Sequence, residues 1–181
     1  MKARVLFATG YEEVEALTVV DLLRRAGVEC LMVSADDLDT VTGARGMEVT
    51  MDEKLSEIDD QCDLVVLPGG IPGVPNLKTN SKVQAMVKAQ NDRGGYVAAI
   101  CAGPTALGAF GVLADENATC YPGCEDQLMA KRHSTEPVVV DGNVITSRGV
   151  GTAIEFALKL VEILIDRQTA DDLAEKIVYK R

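Results

Sequence analysis

Residues 1–34 consist of a short apolar run, a helical repeat and a second apolar run, and this order restricts the fold more than any other feature of the sequence. Residues 5–8 are typical of a buried strand. Residues 13–27 carry apolar side chains at helical spacing and end on a glycine. Residues 28–34 predict a second strand. A strand, a helix and a strand in this order indicate a parallel sheet, joined by a right-handed crossover, with helices on its faces.

The rest of the chain continues this pattern without a linker or an internal repeat. The expected elements up to Cys101 are a small hairpin at 40–51, a strand at Leu64–Leu67, a helix at Ser81–Asp92 and a strand ending at Cys101. They are followed by a hairpin around Asp141 and Gly142, a long helix that starts in residues 147–151, and a final helix at 169–178. The 181 residues, 47% of them apolar, suit one core. We therefore expect a single α/β domain over 1–181.

The charge and the apolar segments limit the classes of partner. A formal net charge of −10 and a pI near 4.6 argue against nucleic-acid and anionic-membrane partners, which require clustered Lys and Arg. The first apolar run is too short for a signal peptide or a membrane span. These observations predict a cytoplasmic protein.

The five cysteines are an odd number without an export signal, and they predict reduced thiols rather than a disulfide framework. Cys120 and Cys124 form the one close pair. A zinc site there would lack ligands, because the whole chain has a single histidine. We interpret the pair as part of a turn and expect no metal.

Cys101 ends an apolar run and is followed at once by small, helix-starting residues. The spacing of Ala99, Cys101 and Gly103 matches the elbow that presents a nucleophile between a strand and a helix. The positive end of the following helix would push the sulfur toward thiolate. The alternative is that Cys101 is a small hydrophobic residue at a strand end.

Two further loops should meet Cys101, because ligands in open α/β sheets bind beyond the carboxyl ends of the strands. In the first loop, Glu15 lies a full turn into the predicted helix among apolar neighbours, where burial would raise its pKa and keep it protonated. Glu12 and Glu13 are interpreted instead as partners of the helix dipole. In the second loop, the N–H groups of Gly69 and Gly70 could form an anion-receiving pocket with that of Ala102, although Pro-Gly-Gly is also a common turn.

Four segments, taken together and in order, resemble the ThiJ/PfpI superfamily, in the branch that contains the parkinsonism-associated protein deglycase and its bacterial relatives. The segments are 10–15, 67–70, 98–104 and 146–152. The resemblance implies a flavodoxin-like three-layer sandwich, a homodimer and a reactive cysteine. It places the nucleophile on Cys101, its protonated acidic partner on Glu15, the backbone pocket on Gly70 and Ala102, and an arginine near the dimer interface on Arg45.

Two positions depart from the pattern of that superfamily. Ala102 follows the cysteine where the protease-like branch has a histidine, so a Cys-His hydrolytic site lacks its base. Tyr121 stands before Pro122 where some members of the deglycase branch supply a histidine, and we expect Tyr121 to line the pocket instead. His133, in a polar run, is expected at the surface.

The leading hypothesis is a cofactor-free cysteine enzyme, of glyoxalase or deglycase type, that uses Cys101 and Glu15 on small reactive α-oxoaldehydes or their glycated adducts. The rival is a sensor of oxidative stress, or a chaperone-like protein, in which Cys101 is oxidised to a sulfinate held by Glu15. An amidase or peptidase is a weaker alternative. A flavodoxin-like binding domain without catalysis is a further one, although the phosphate-binding loop and the stacking aromatics of a flavin site are absent.

Overall fold

The computed structural model describes residues 1–59 and 61–180, and within them the chain forms a seven-stranded sheet and two small two-stranded sheets. The strands, in chain order, are β1 (Lys2–Phe7), β2 (Glu29–Ser34), β3 (Thr40–Thr42), β4 (Glu48–Thr50), β5 (Glu53–Lys54), β6 (Leu64–Leu67), β7 (Tyr96–Ile100), β8 (Asn117–Ala118), β9 (Arg132–His133), β10 (Val138–Asp141) and β11 (Val144–Ser147). The large sheet has the order β10-β11-β7-β6-β1-β2-β5. All its neighbouring strands are parallel except the edge pair β10 and β11.

Helices cover both faces of the large sheet. They are α1 (Glu13–Arg25), α2 (Gly73–Thr79), α3 (Ser81–Asp92), α4 (Pro104–Ala109), α5 (Ala153–Leu164) and α6 (Arg167–Lys176). Helices α1, α5 and α6 pack together over one face, and α2, α3 and α4 pack over the other. This arrangement confirms the predicted α/β sandwich of three layers with a mostly parallel central sheet.

The apolar strands explain the two helical layers, because successive side chains of a strand point to opposite faces of the sheet. In β6, Leu64 and Val66 belong to the core beneath α1 and α5, whereas Val65 and Leu67 belong to the core beneath α3 and α4. All four side chains are buried. A strand that is apolar on both faces needs a helix on each side, as parallel sheets generally do.

Most predicted elements occur at their predicted places. The strand Leu64–Leu67 and the helix Ser81–Asp92 have the expected bounds, and the hairpin at 40–51 is present as the antiparallel pair β3 and β4. The final helix begins two residues earlier than expected, at Arg167. The reason is that Asp166 caps it by accepting a hydrogen bond from the Thr169 N–H at 2.7 Å.

Two predictions of detail were wrong, and one helix was missed. In the C-terminal hairpin Asp141 pairs with Val144, so the two-residue loop is formed by Gly142 and Asn143, one residue later than predicted. The long helix does not start within 147–151, since a 3-10 turn at Val150–Thr152 precedes α5. Helix α2 was not predicted, because its seven residues contain a glycine and a proline that argue against a helix.

The sheet determines where a site can form. Strands β1, β6, β7 and β11 are parallel neighbours, so their carboxyl ends lie along one edge of the sheet, and the four loops that leave them meet there. Within residues 1–59 and 61–180, no helix combines the length and the apolar character needed to cross a membrane.

Candidate active site

Cys101 occupies a strained elbow between β7 and α4. Its φ is +65°, in the left-handed region that residues with a side chain seldom adopt. Its N–H donates to the Ser147 carbonyl of β11 at 3.1 Å, and the Gly103 N–H donates to the Ile100 carbonyl at 2.9 Å. The thiol is therefore turned out of the strand direction at the carboxyl edge of the sheet.

Gly103 allows the elbow to pack against the end of β6. A Cβ at this position would lie 2.6 Å from the Leu67 carbonyl oxygen and 2.8 Å from the Ile100 carbonyl oxygen, both of them backbone atoms that cannot move aside. A side chain at residue 103 would thus push the elbow away from the sheet. This is the role expected of the last small residue of the elbow.

Glu15 brings a buried carboxyl to the thiol from the first turn of α1, and not from a full turn into the helix as the sequence predicted, because Glu12 caps α1 and the helix begins at Glu13. Its side chain is fully buried, and its Oε2 accepts the Gly69 N–H at 3.0 Å. The carboxyl and the Cys101 thiol meet beside Gly69, since a Cβ on Gly69 would lie 2.6 Å from Glu15 Oε2 and 3.0 Å from Cys101 Sγ. Its Oε1 is buried and has no hydrogen-bond partner among the described residues. Glu12 orients this turn, because its Oε2 caps the helix by accepting the Glu15 N–H at 2.9 Å.

Burial changes the protonation of both groups. Burial raises the pKa of Glu15 to about 7, against the lowering effect of the hydrogen bonds from Cys101 and Gly69. Burial also raises the pKa of the Cys101 thiol, and the negative charge of Glu15 and its hydrogen bond raise it further, while the Ala102 N–H lowers it. The two groups are therefore not ionised together.

This result differs from the expectation that the elbow alone would make Cys101 a thiolate. The Ala102 N–H, which lies just before the six-residue helix that follows the elbow, lowers the thiol pKa less than burial and the neighbouring carboxylate raise it. A reactive sulfur requires Glu15 to take the thiol proton. The protonation of each group therefore depends on the other.

Gly69 differs from the sequence-based prediction. Its N–H points to Glu15 and is already hydrogen-bonded, so it is not free to join a pocket for anions. Its role is steric, because a Cβ there would lie 2.6 Å from both Cys101 Cβ and Glu15 Oε2. Gly70 has φ +101° and lines the cavity described next, as does Ala102.

A cavity of about 820 Å³ opens over the thiol. It is lined by loops from the carboxyl edge of the sheet, and its lining residues are Glu12, Glu15, Ala44, Arg45, Gly70, Ile71, Cys101, Ala102, Tyr121, Pro122, Gly123, Cys124, Arg148, Gly149, Val150, Gly151 and Thr152. Its volume falls in the range typical of small-molecule sites.

Tyr121 and Arg45 lie at this cavity, as the sequence predicted for Tyr121. The Tyr121 N–H donates to the Cys101 carbonyl at 2.8 Å, and its side chain is 52% exposed. Arg45 is exposed, and Glu13 holds its backbone, since Glu13 Oε1 accepts the Arg45 N–H at 2.6 Å. Glu13 is therefore more than a partner of the helix dipole.

The loop after β11 supplies lining residues to which the sequence analysis gave no role. Arg148 follows β11, and Gly149 backs onto Glu15, since a Cβ on Gly149 would lie 3.8 Å from Glu15 Oε1. The sequence signal for this loop was an apolar strand followed by Ser-Arg-Gly. The sequence did not show that this strand lies beside β7. His133 is half-buried on β9, and no histidine is among the described residues that line the cavity.

The sheet is mostly parallel, and its cysteine lies at a left-handed elbow against a buried carboxyl. These features define the class of the protein, which is that of the α/β proteins with a reactive-cysteine elbow. Residues 1–163 match the DJ-1/PfpI family. The chain belongs to this family, which confirms the resemblance seen in its motifs.

Individual relatives match nearly the whole chain. The Parkinson disease protein 7 homolog of Danio rerio is 40% identical over 99% of this chain and 97% of that protein. The glutathione-independent glyoxalase DJR-1.2 of Caenorhabditis elegans is 34% identical over 92% of this chain and 89% of that protein. Among solved structures, oxidized Toxoplasma gondii DJ-1 superposes with a TM-score of 0.96 at 36% identity and 99% coverage of both chains.

Proposed function

We propose that the protein is a cofactor-independent cysteine enzyme that converts α-oxoaldehydes such as methylglyoxal, free or as early adducts on amines or thiols, to hydroxy acids. The observation that carries this proposal is the meeting of the Cys101 thiol and the buried Glu15 carboxyl beside Gly69, where both residues line the cavity. The name of the Caenorhabditis elegans relative, a glutathione-independent glyoxalase, supports it.

The pair suits a reaction that needs repeated proton transfers. A carboxyl whose pKa is about 7 is a base and an acid in comparable amounts at neutral pH, which is the optimum for general acid–base catalysis. When Glu15 is ionised it takes the proton of Cys101 as the sulfur attacks. The nucleophile is then formed only where the electrophile is bound.

The first step is addition. The sulfur of Cys101 bonds to the aldehyde carbon, its proton passes to Glu15, and the former carbonyl oxygen takes that proton to give a hemithioacetal. The Ala102 N–H, together with that of Gly70, would stabilise the oxyanion that develops before protonation.

The second stage is isomerisation followed by hydrolysis. Ionised Glu15 removes the hydrogen, as a proton, from the carbon bonded to sulfur, giving an enediolate. Glu15 then returns the proton to the neighbouring carbon, and the hydroxyl proton of the first carbon passes to the oxygen of the second, giving a thioester of the 2-hydroxy acid. Water then cleaves the thioester, which releases the acid and restores the thiol. The sum is one α-oxoaldehyde and one water giving one hydroxy acid, with no external oxidant or reductant.

Kinetics with methylglyoxal test this proposal. Cys101→Ser and Glu15→Gln are expected to abolish the coupled loss of methylglyoxal and gain of lactate. Cys62→Ser is the control, because Cys62 precedes β6 at the opposite edge of the sheet. Unchanged lactate formation in Cys101→Ser would refute the proposal. Loss of methylglyoxal without lactate would indicate adduct formation alone.

The second candidate is a sensor of oxidation, or a stress-responsive chaperone, in which Cys101 carries a sulfinate. It is favoured by the same contacts, since the protonated Glu15 carboxyl and the Ala102 N–H are donors that an oxidised sulfur can accept from. The solved Toxoplasma gondii relative is an oxidized form. Mass spectrometry after mild peroxide treatment tests this candidate, which requires that Cys101 gain two oxygens ahead of the other cysteines.

An amidase or peptidase is the least supported reading. Such a reaction needs a group that takes the proton of the nucleophile and passes it to the leaving amine, and the described lining of the cavity offers a carboxyl but no histidine.

We further propose that residues 1–181 work as one cytoplasmic domain in a homodimer whose interface lies near Arg45. Light scattering of the wild type and of Arg45→Glu tests the dimer.

A further inference from the structure

Two of the five cysteines, Cys101 and Cys124, line the same cavity. Both are half-buried and neither is in a disulfide. The negative charge of a Cys124 thiolate raises the pKa of Cys101, which places the two sulfurs within electrostatic reach of each other. Nothing in the carbonyl chemistry proposed above uses Cys124.

A tight turn connects Cys124 to the elbow. The Tyr121 N–H donates to the Cys101 carbonyl at 2.8 Å, and the Cys124 N–H donates back to the Tyr121 carbonyl at 3.0 Å. Pro122 and Gly123 occupy the centre of this turn, and Gly123 has the positive φ, +93°, that a type II turn requires at that position. The turn that ends at Cys124 is therefore attached to the backbone of Cys101, and both cysteines line the cavity.

The other cysteines are placed differently. Cys30 is a buried residue of β2, and Cys62 lies before β6, where its sulfur is 3.7 Å from Gln90 Oε1. Cys120 is fully buried and does not line the cavity. Sequence proximity had joined Cys120 with Cys124, whereas the fold joins Cys124 with Cys101.

We propose that Cys124 is a resolving cysteine, which converts oxidised Cys101 to an intramolecular disulfide. A hydroperoxide oxidises the Cys101 thiol to a sulfenic acid and is itself reduced to an alcohol or to water. The Cys124 sulfur then attacks the Cys101 sulfur, a sulfur–sulfur bond forms, and the sulfenic oxygen leaves as water with the thiol proton. A dithiol reverses the reaction.

The turn is suited to the movement that bond formation needs. A disulfide requires Cα atoms about 4.4–6.8 Å apart, and Tyr121, Pro122 and Gly123 are all exposed, so the turn can shift without disturbing the core. The disulfide would occupy the nucleophile reversibly. It would also compete with further oxidation of Cys101, which a dithiol does not reverse.

Intact-protein and peptide mass spectrometry after one equivalent of hydrogen peroxide test the proposal. The wild type is expected to lose two hydrogens, with Cys101 and Cys124 in one linked peptide within a single chain, and to regain them with dithiothreitol. The Cys124→Ser variant is expected to lose this species and to accumulate Cys101 with two added oxygens at least several-fold faster than the wild type.

Cys120→Ala is the matched control, because it removes the sequence neighbour and leaves both cavity cysteines. It should form the disulfide as the wild type does. A wild type that gains two oxygens at the rate of Cys124→Ser, a disulfide that persists in Cys124→Ser, or a link between two chains would each overturn the proposal. The readout is a mass, so it is independent of any activity toward carbonyl substrates.

Discussion

Replacing Glu15 by glutamine should make the protein relatively more stable as pH rises. The wild-type carboxyl is fully buried, and burial raises its pKa from the ordinary 4.5 to about 7. A group with a raised folded-state pKa contributes its stability fully below about pH 4.5, and this contribution is lost as pH rises through about 7. Glutamine is neutral throughout and keeps an oxygen for the Gly69 N–H.

The two pKa values give the size of the effect. The gap between 4.5 and about 7, at about 1.4 kcal/mol per pH unit, corresponds to about 3–4 kcal/mol in total. Part of this loss has already occurred at pH 5. Between pH 5 and pH 8 the stability of Glu15→Gln relative to the wild type should therefore increase by about 2–3 kcal/mol.

Urea unfolding followed by circular dichroism measures this difference, with reductant present and one protein concentration throughout. The pH range stops at 8, below the ordinary thiol pKa of about 8.5, so that cysteine ionisation contributes little. Glu48→Gln, which removes an exposed carboxylate from β4, is the control for the change in net charge. It should show none of the rise expected for Glu15→Gln.

The result that would refute this reasoning is a stability difference between Glu15→Gln and the wild type that is the same at pH 5 and pH 8. A constant offset would mean only that glutamine packs better or worse than glutamate. It would also show that Glu15 is not a buried carboxyl that titrates in this pH range. The acid–base role proposed for Glu15 would then have no physical basis.

Three more predictions follow from single contacts. Gly69→Ala should lower stability by about 1–3 kcal/mol, because the added Cβ would lie 2.6 Å from Cys101 and from Glu15. Gly151→Ala is the control and should change the urea midpoint little, because the space around residue 151 is open. If Glu15 is the base, pH–rate profiles should show kcat/KM for methylglyoxal rising with pH to a plateau with a midpoint near 7, and the control variant Glu48→Gln, which loses an exposed carboxylate, should show the same rise. Asn80→Ala should cost about 1 kcal/mol in thermal unfolding, because the Asn80 side chain caps α3 and also donates to the Ala35 carbonyl at 2.8 Å.

The main elements could be predicted from the sequence because their signals are local. The strand Leu64–Leu67 is apolar without interruption and bounded by turn residues, and Ser81–Asp92 has helical periodicity. Helix α2 could not be predicted, because Gly73 and Pro75 have low helix propensity and tertiary packing outweighs it. The position of the C-terminal hairpin loop, one residue later than predicted, could not be predicted either, because the pairing of the two strands sets their register.

The candidate site could be predicted in part. Cys101 and Glu15 were identified from their local settings, one at the end of a strand and the other among apolar neighbours in a helix. Arg148, Gly149 and Cys124 were given no role at the cavity, because their position follows from β11 lying next to β7 and from the turn that Tyr121 attaches to Cys101. These contacts join residues that are distant in the chain.

The sequence by itself determined the order of strands and helices, the parallel sheet and the presence of a cysteine at an elbow. Only the tertiary structure decided the chemistry of that cysteine. Periodicity and turn residues act over a few positions, whereas the pKa of Cys101 depends on burial and on a carboxylate from another element. The elbow alone predicted a thiolate, whereas in the folded chain burial and the Glu15 carboxylate raise the pKa of the Cys101 thiol.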